Sequence, residues 1–80
     1  MPTIWIHGAY RFFCYANDRH EPAHVHVERD RYKAKFWLSP VRLEESGGFR
    51  PNEINRIQRL VEENQEELLR GWNEYFRDRD

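Results

Sequence analysis

The first 44 residues alternate between apolar and polar side chains with a period of two, which is typical of half-buried β-strands. The clearest stretch is His24–Arg29, in which two valines alternate with polar residues. Gly8 and Pro40 interrupt the pattern where turns are expected. The alternation predicts an antiparallel meander of four strands and a short fifth. These strands are Thr3–His7, residues 11–16, His24–Arg29, Tyr32–Leu38 and residues 41–43.

From Pro51 the apolar period changes to 3.6 residues, which predicts an amphipathic C-terminal helix with Pro51 at its first position and Arg50 as its cap. A straight helix over residues 51–76 would be about 39 Å long, whereas six-residue strands span about 20 Å. A capping box beginning at Asn64 favours a break in the helix there. A continuous helix remains an alternative, because it would also keep the apolar residues on one helix face. The predicted fold class is α+β, with the helix covering one sheet face. The apolar stripe consists of Ile54, Ile57, Val61, Leu68, Trp72 and Phe76.

The alternation also predicts which side chains share a sheet face. If Val25 and Val27 face the helix, then His24, His26 and Glu28 lie on the opposite, outer face. A two-residue turn at positions 30 and 31 fixes the register of the central hairpin, because a slip of one residue would place lysines opposite the valines. The predicted cross-strand pairs are Glu28 with Lys33, His26 with Lys35, and His24 with Trp37. A three-residue loop in the first hairpin would add Trp5, His7, Arg11 and Phe13 to the outer face.

We call this outer surface the His/Lys/aromatic face, and it is the predicted binding surface. Lysines and an arginine suit phosphates, and flat aromatic rings suit nucleic acid bases. His24 and His26 are the candidate catalytic residues, since a histidine can act as general acid or base on a phosphodiester. The spacing fixes no second catalytic group, so the sequence leaves open whether the chain is an enzyme. The face consists of Arg11, His24, His26, Glu28, Lys33, Lys35 and Trp37.

A metal site is a further interpretation of the same histidines. Two imidazoles at positions i and i+2 of a strand can converge on Zn²⁺ or Ni²⁺, with Glu28 and either His7 or His20 as further ligands. The neighbouring lysines oppose a bound cation. We therefore expect no metal and no cofactor.

Composition sets limits on the partners. The 80 residues carry a net charge of −1, with +2 in residues 1–50 and −3 in residues 51–80. The pI of about 6.4 predicts at most weak binding to nucleic acid. Eighty residues make one domain, residues 1–80, with a small core, and aromatic residues lie near the C-terminus. We therefore expect a protein partner or a homo-oligomer.

The expected cellular compartment follows from the targeting signals that are not found in the sequence. No apolar run reaches the roughly 18 residues of a membrane span. The first residues show no secretory signal, and the single cysteine, Cys14, cannot form an internal disulfide. We therefore expect a cytoplasmic protein without membrane association.

Several motifs stand out along the chain: residues 1–4, 11–13 with Tyr15, 20–28, 34–38, 48–49, 62–64, 68–69 and 72–76. Together they resemble a small prokaryotic family, domain of unknown function 4160. Two differences from its pattern are Ala23, where a second proline is usual, and Gly71 within the helix. The resemblance implies paired genes of the toxin–antitoxin type, so the expected function is that of a small interaction module acting through the His/Lys/aromatic face. A metal-independent ribonuclease and a metal-binding protein are the alternatives.

Overall fold

A five-stranded antiparallel sheet followed by two helices accounts for residues 3–77, the part of the chain that the computed structural model describes. The strands lie in the order in which they occur along the chain, so every neighbouring pair is a hairpin or a longer antiparallel connection. The predicted α+β meander is confirmed. The elements are β1 (Thr3–His7), β2 (Tyr10–Phe13), a 3-10 helix (Ala16–His20), β3 (His24–Arg29), β4 (Tyr32–Leu38), β5 (Val41–Glu45), α1 (Pro51–Glu63) and α2 (Gln65–Arg77).

The central hairpin has the predicted register. Val25 and Val27 are fully buried against the helices, which confirms the assignment of the two faces of the central hairpin. The turn between β3 and β4 has Asp30 in the left-handed region, with φ 56°, a conformation that aspartate tolerates better than most residues. The observed pairs include His24 with Trp37, His26 with Lys35 and Glu28 with Lys33.

The first hairpin differs from the prediction. Its loop has two residues, with Gly8 at φ 60°, so His7 lies opposite Tyr10 rather than Arg11. The three-residue loop is therefore wrong, and so is the placement of Trp5 and His7 on the outer face: Trp5 pairs with Phe12 and packs against the core, and the His7 ring contacts Trp5. Strand β1 also shifts its register by a bulge between Thr3 and Trp5. Strand β2 ends at Phe13, three residues earlier than predicted, because the chain turns there into the 3-10 helix.

The C-terminal helix is broken at Asn64, as predicted from the mismatch between the length of a straight helix and the length of the strands. Pro51 occupies the first position of α1 behind an extended Arg50, also as predicted. The side-chain amide of Asn64 donates to the carbonyl oxygen of Leu60 at 2.8 Å. This contact caps the end of α1 instead of forming the expected capping box at the start of α2. All six residues of the apolar stripe are buried.

The core lies between the helices and one sheet face. Phe12 and Phe36 from the sheet pack there with Ile57 and Leu68 from the helices. At the other end of the sheet, Glu53 of α1 accepts hydrogen bonds from two sheet residues: Tyr10 donates at 2.7 Å and Arg29 at 2.8 Å. In the described residues no helix combines the length and apolar character that crossing a membrane requires.

Candidate functional site

The outer sheet face is partly covered by the segment that follows β2. After Phe13 the chain forms the 3-10 helix and returns to β3 through Pro22, which places Asp18 beside His26. Phe13 itself is fully buried on this face: its ring stacks on His26 with 5.4 Å between the centroids. Tyr15 contacts the same histidine edge to face at 4.8 Å. The outer face therefore has a small aromatic layer of its own.

His24 is buried, with 0% of its surface exposed, so the prediction that it lies on an exposed surface is wrong. Strand β2 pairs with β3 only as far as Phe13 opposite His26, and His24 lies beyond that end. The ring of Trp72 from α2 reaches it there, at 4.9 Å between centroids, and Trp37 contacts it at 5.5 Å. Because β2 ends before it reaches His24, the rings of Trp72 and Trp37 can both pack against this histidine.

The two histidines of β3 converge on one carboxylate. Oδ2 of Asp18 lies 3.1 Å from Nε2 of His24 and 3.1 Å from Nε2 of His26. The side chains of Asp18 and His26 are only 14% and 12% exposed. One ligand atom from each of the three residues lies within 4.8 Å of the other two. The arrangement gathers two candidate nitrogen ligands and one candidate oxygen ligand in one small cluster.

His24 has one ring nitrogen satisfied and one without a partner. Nδ1 lies 2.9 Å from the carbonyl oxygen of Pro22, so Nδ1 carries a hydrogen and donates it. Nε2 is buried and has no hydrogen-bond partner among the described residues. Asp18 is within ion-pair distance of Nε2, but its oxygen lies away from the direction in which an Nε2 hydrogen would point.

Charges and burial act on this cluster in opposite directions. Burial disfavours the ionised carboxyl of Asp18, but the backbone amide of Tyr15, which donates at 2.8 Å, and the two histidines outweigh it. The pKa of Asp18 is therefore below its ordinary value. For His26, burial lowers the pKa, and the nearby carboxylate only partly offsets this. The carboxylate is thus negatively charged at neutral pH.

The other predicted members of the His/Lys/aromatic face are engaged with partners. Arg11 forms an ion pair with Glu28 at 2.7 Å. The ammonium group of Lys35 contacts Glu21 at 2.8 Å and lies over the Trp37 ring at 4.7 Å from its centroid. Two further contacts are Lys33 donating to the hydroxyl of Tyr15 at 2.7 Å and Trp37 donating to Glu44 at 2.9 Å. Arg11 and Lys35 are thus paired with carboxylates within the chain, whereas the partner of Lys33 is a neutral hydroxyl.

The sequence identified two of the three clustered residues and missed the third. His7 and His20 are exposed and lie outside the cluster, and Glu28 pairs with Arg11 instead of joining it. Asp18 was not predicted because it lies in a polar loop without periodicity. Its proximity in sequence to the His-x-His motif was the one available signal.

A second surface feature is the open edge of β1. Strand β1 lies at one side of the sheet, and Ile6 is 64% exposed there. Residues 3–7 include no lysine, aspartate, glutamate or proline, the residues that usually protect an edge from pairing. The opposite edge, β5, carries Arg42, Glu44 and Glu45 around its exposed Leu43. The two edges therefore differ in their readiness to accept another strand.

Comparison with known proteins gives one match. The family model described as Domain of unknown function (DUF4160) matches residues 9–73. No curated protein and no solved structure matches the chain. The match spans the sheet from the first hairpin loop, the 3-10 helix and most of both helices, so the chain belongs to the DUF4160 family.

Proposed function

We propose that this protein is a small cytoplasmic protein-binding module, one component of a prokaryotic two-protein pair of the toxin–antitoxin type. The observation that carries the proposal is the unprotected edge of β1 with its exposed Ile6. An edge strand presents unpaired backbone donors and acceptors, and an extended segment of another protein can add to it as a further strand. The resemblance of the motifs to a family found in gene pairs supports a partner encoded nearby.

We assign the contact to the β1 edge rather than to the His/Lys/aromatic face. The charges of that face are engaged in the pairs Arg11–Glu28 and Lys35–Glu21, and its histidines are largely covered. By contrast, the side chain of Ile6 is apolar and projects into solvent. Burying such a side chain contributes about 1.5–3 kcal/mol, which makes Ile6 the natural anchor for a partner strand.

The partner we propose is the product of the neighbouring gene, and co-expression with a tagged copy of that product is the test. We expect the wild-type chain to co-purify and Ile6→Lys to be lost, because a charge would be buried against the incoming strand. Leu43→Lys on the opposite edge is the matched control and should still co-purify. Equal recovery of both variants, or no recovery of the wild-type chain, would contradict the proposed interface.

Growth assays test the toxin–antitoxin role separately. We expect one of the two proteins to slow growth when expressed alone and co-expression to restore growth. Ile6→Lys should abolish that restoration, whereas Leu43→Lys should not. Binding without any effect on growth would retain the interaction module and exclude the toxin–antitoxin role.

The ribonuclease alternative has less support. A histidine acting as general base has to reach the proton that it removes from the RNA, and His24 is fully buried. Nε2 of His26 is engaged in a hydrogen bond with Oδ2 of Asp18 at 3.1 Å. Neither ring is presented to a substrate in this arrangement, so we place this function second.

A further inference from the structure

We propose that Asp18, His24 and His26 bind a divalent first-row transition-metal ion, for which Zn²⁺ fits the ligand set well. Imidazole nitrogens with a carboxylate oxygen are a common set of protein ligands for zinc. The proposal does not depend on the β1 interface, which lies on a different strand. It departs from the expectation, based on the sequence, that the protein binds no metal.

The tautomer of His24 is the first argument. Because Nδ1 donates to the carbonyl of Pro22, Nε2 of the neutral ring carries the lone pair. A backbone carbonyl that holds the far nitrogen in this way is the usual arrangement around a metal-bound histidine. The Pro22 contact therefore orients Nε2 as a ligand atom in advance.

The unpartnered nitrogen is the second argument. Nε2 of neutral His24 would lie 3.1 Å from the negatively charged oxygen of Asp18 with no hydrogen bond between them, so two electron-rich atoms would repel each other in a buried space. A proton on Nε2 would not point at that oxygen. A cation held between the atoms relieves the repulsion, because ligands around a metal point at the metal and not at one another.

The two distances from Asp18 agree with such a site, and all three ligand atoms lie within 4.8 Å of one another. In a tetrahedral zinc site with bonds of 2.0–2.1 Å, ligand atoms are separated by about 3.3 Å. Asp18 lies 3.1 Å from each of the two histidine nitrogens. Three protein ligands leave a fourth tetrahedral position for water or another small donor.

The lysines, whose charges oppose a bound cation in the prediction from the sequence, each have a partner of their own. Lys35 is paired with Glu21, and Lys33 donates to the hydroxyl of Tyr15. Glu21 also lies 3.7 Å from Nδ1 of His24, which adds negative charge near the ring. The local charge therefore does not exclude a divalent ion.

Calorimetric titration of the metal-free protein with Zn²⁺ and with Mg²⁺ tests the site. We expect one Zn²⁺ per chain, bound at least about 100-fold more tightly than Mg²⁺, which prefers oxygen ligands. Asp18→Asn and His26→Gln should each weaken Zn²⁺ binding at least about tenfold. His20→Gln, which changes an exposed histidine, is the control and should bind like the wild-type chain.

NMR of the histidine ring nitrogens in the wild-type chain gives a second measurement, which does not require any of the variants to fold. On addition of Zn²⁺, the Nε2 resonances of His24 and His26 should shift, whereas those of His7 and His20 should not. Uniform shifts at all four histidines, no shift at His24 and His26, or equal loss of affinity in His20→Gln would overturn the proposal.

Discussion

Gly71 of α2 packs directly against Ile4 of β1, with no space between them for another methyl group. A Cβ atom at residue 71 would overlap with Cγ2 of Ile4. This contact explains a glycine in the middle of a helix, where it costs about 1 kcal/mol relative to alanine. The glycine allows α2 to approach the edge strand closely and so holds β1 on the sheet.

Gly71→Ala should therefore destabilise the protein, although helix propensity alone predicts a gain. Overpacking costs about 1–3 kcal/mol, which exceeds the gain in propensity. Combining the change with Ile4→Ala removes the clash, so the double variant should lose less stability than the sum of the single variants, by about 1 kcal/mol. Urea denaturation of the four proteins measures this coupling, and a more stable Gly71→Ala would refute the contact.

The buried thiol of Cys14 gives a prediction for alkaline pH. Burial, followed by the negative charge of Asp18, raises its pKa from 9.0 to about 11. Since the pKa is higher in the folded state, the folded chain holds its proton more tightly than the unfolded chain. The stabilisation is present below pH 9 and is lost as the pH rises from 9 towards 11.

Urea denaturation at pH 8 and pH 10.5 checks this prediction with Cys14→Ala as the reference. The wild-type chain should lose more stability between the two pH values than the variant does. At pH 8 the native thiol should also resist disulfide reagents and react after unfolding, because the thiolate is the reactive form. Equal losses in both proteins would show that Cys14 does not contribute.

Nucleic acid binding should be weak, because two of the three cations on the His/Lys/aromatic face are already paired with carboxylates. Arg11 and Lys35 contact Glu28 and Glu21, so few charges remain to neutralise phosphates. We expect single-stranded RNA to bind with a dissociation constant of about 10⁻⁴ M or weaker at physiological salt, and affinity to fall further as salt rises.

Fluorescence anisotropy at two salt concentrations, with Lys33→Ala/Lys35→Ala beside the wild-type chain, provides the measurement. The double variant should differ little from the wild type at the higher salt. Tight binding there that depends on both lysines would contradict the internal pairing and restore this face as a nucleic acid surface.

Much of the fold could be predicted, because a few residues determine locally which way a strand faces and where a helix begins. The alternation around Val25 and Val27 fixes the faces of β3, and Pro51 marks the start of α1. The end of β2 at Phe13 could not be predicted, because residues 14–16 are as compatible with a strand as those before them. That early end is the reason Trp72 can cover His24.

The candidate site was predictable only in part. The motif His24-x-His26 is visible in the sequence, and its two side chains do share a cluster. Asp18 joins them through a loop that folds back over the sheet, and its position depends on tertiary contacts rather than on any repeat. The open edge of β1, by contrast, follows from the predicted meander, because the first strand of a meander lies at one side of the sheet.

Hydrogen exchange of the backbone amides, in the free chain and in complex with the neighbouring gene product, tests the central claim most directly. A partner strand on the open edge would bond to backbone groups of β1 that have no partner in the sheet. The account predicts that amides of Thr3–His7 exchange more slowly in the complex, while those of Val41–Glu45 are unchanged. Protection confined to β5 or α2, with β1 unaffected, would contradict it.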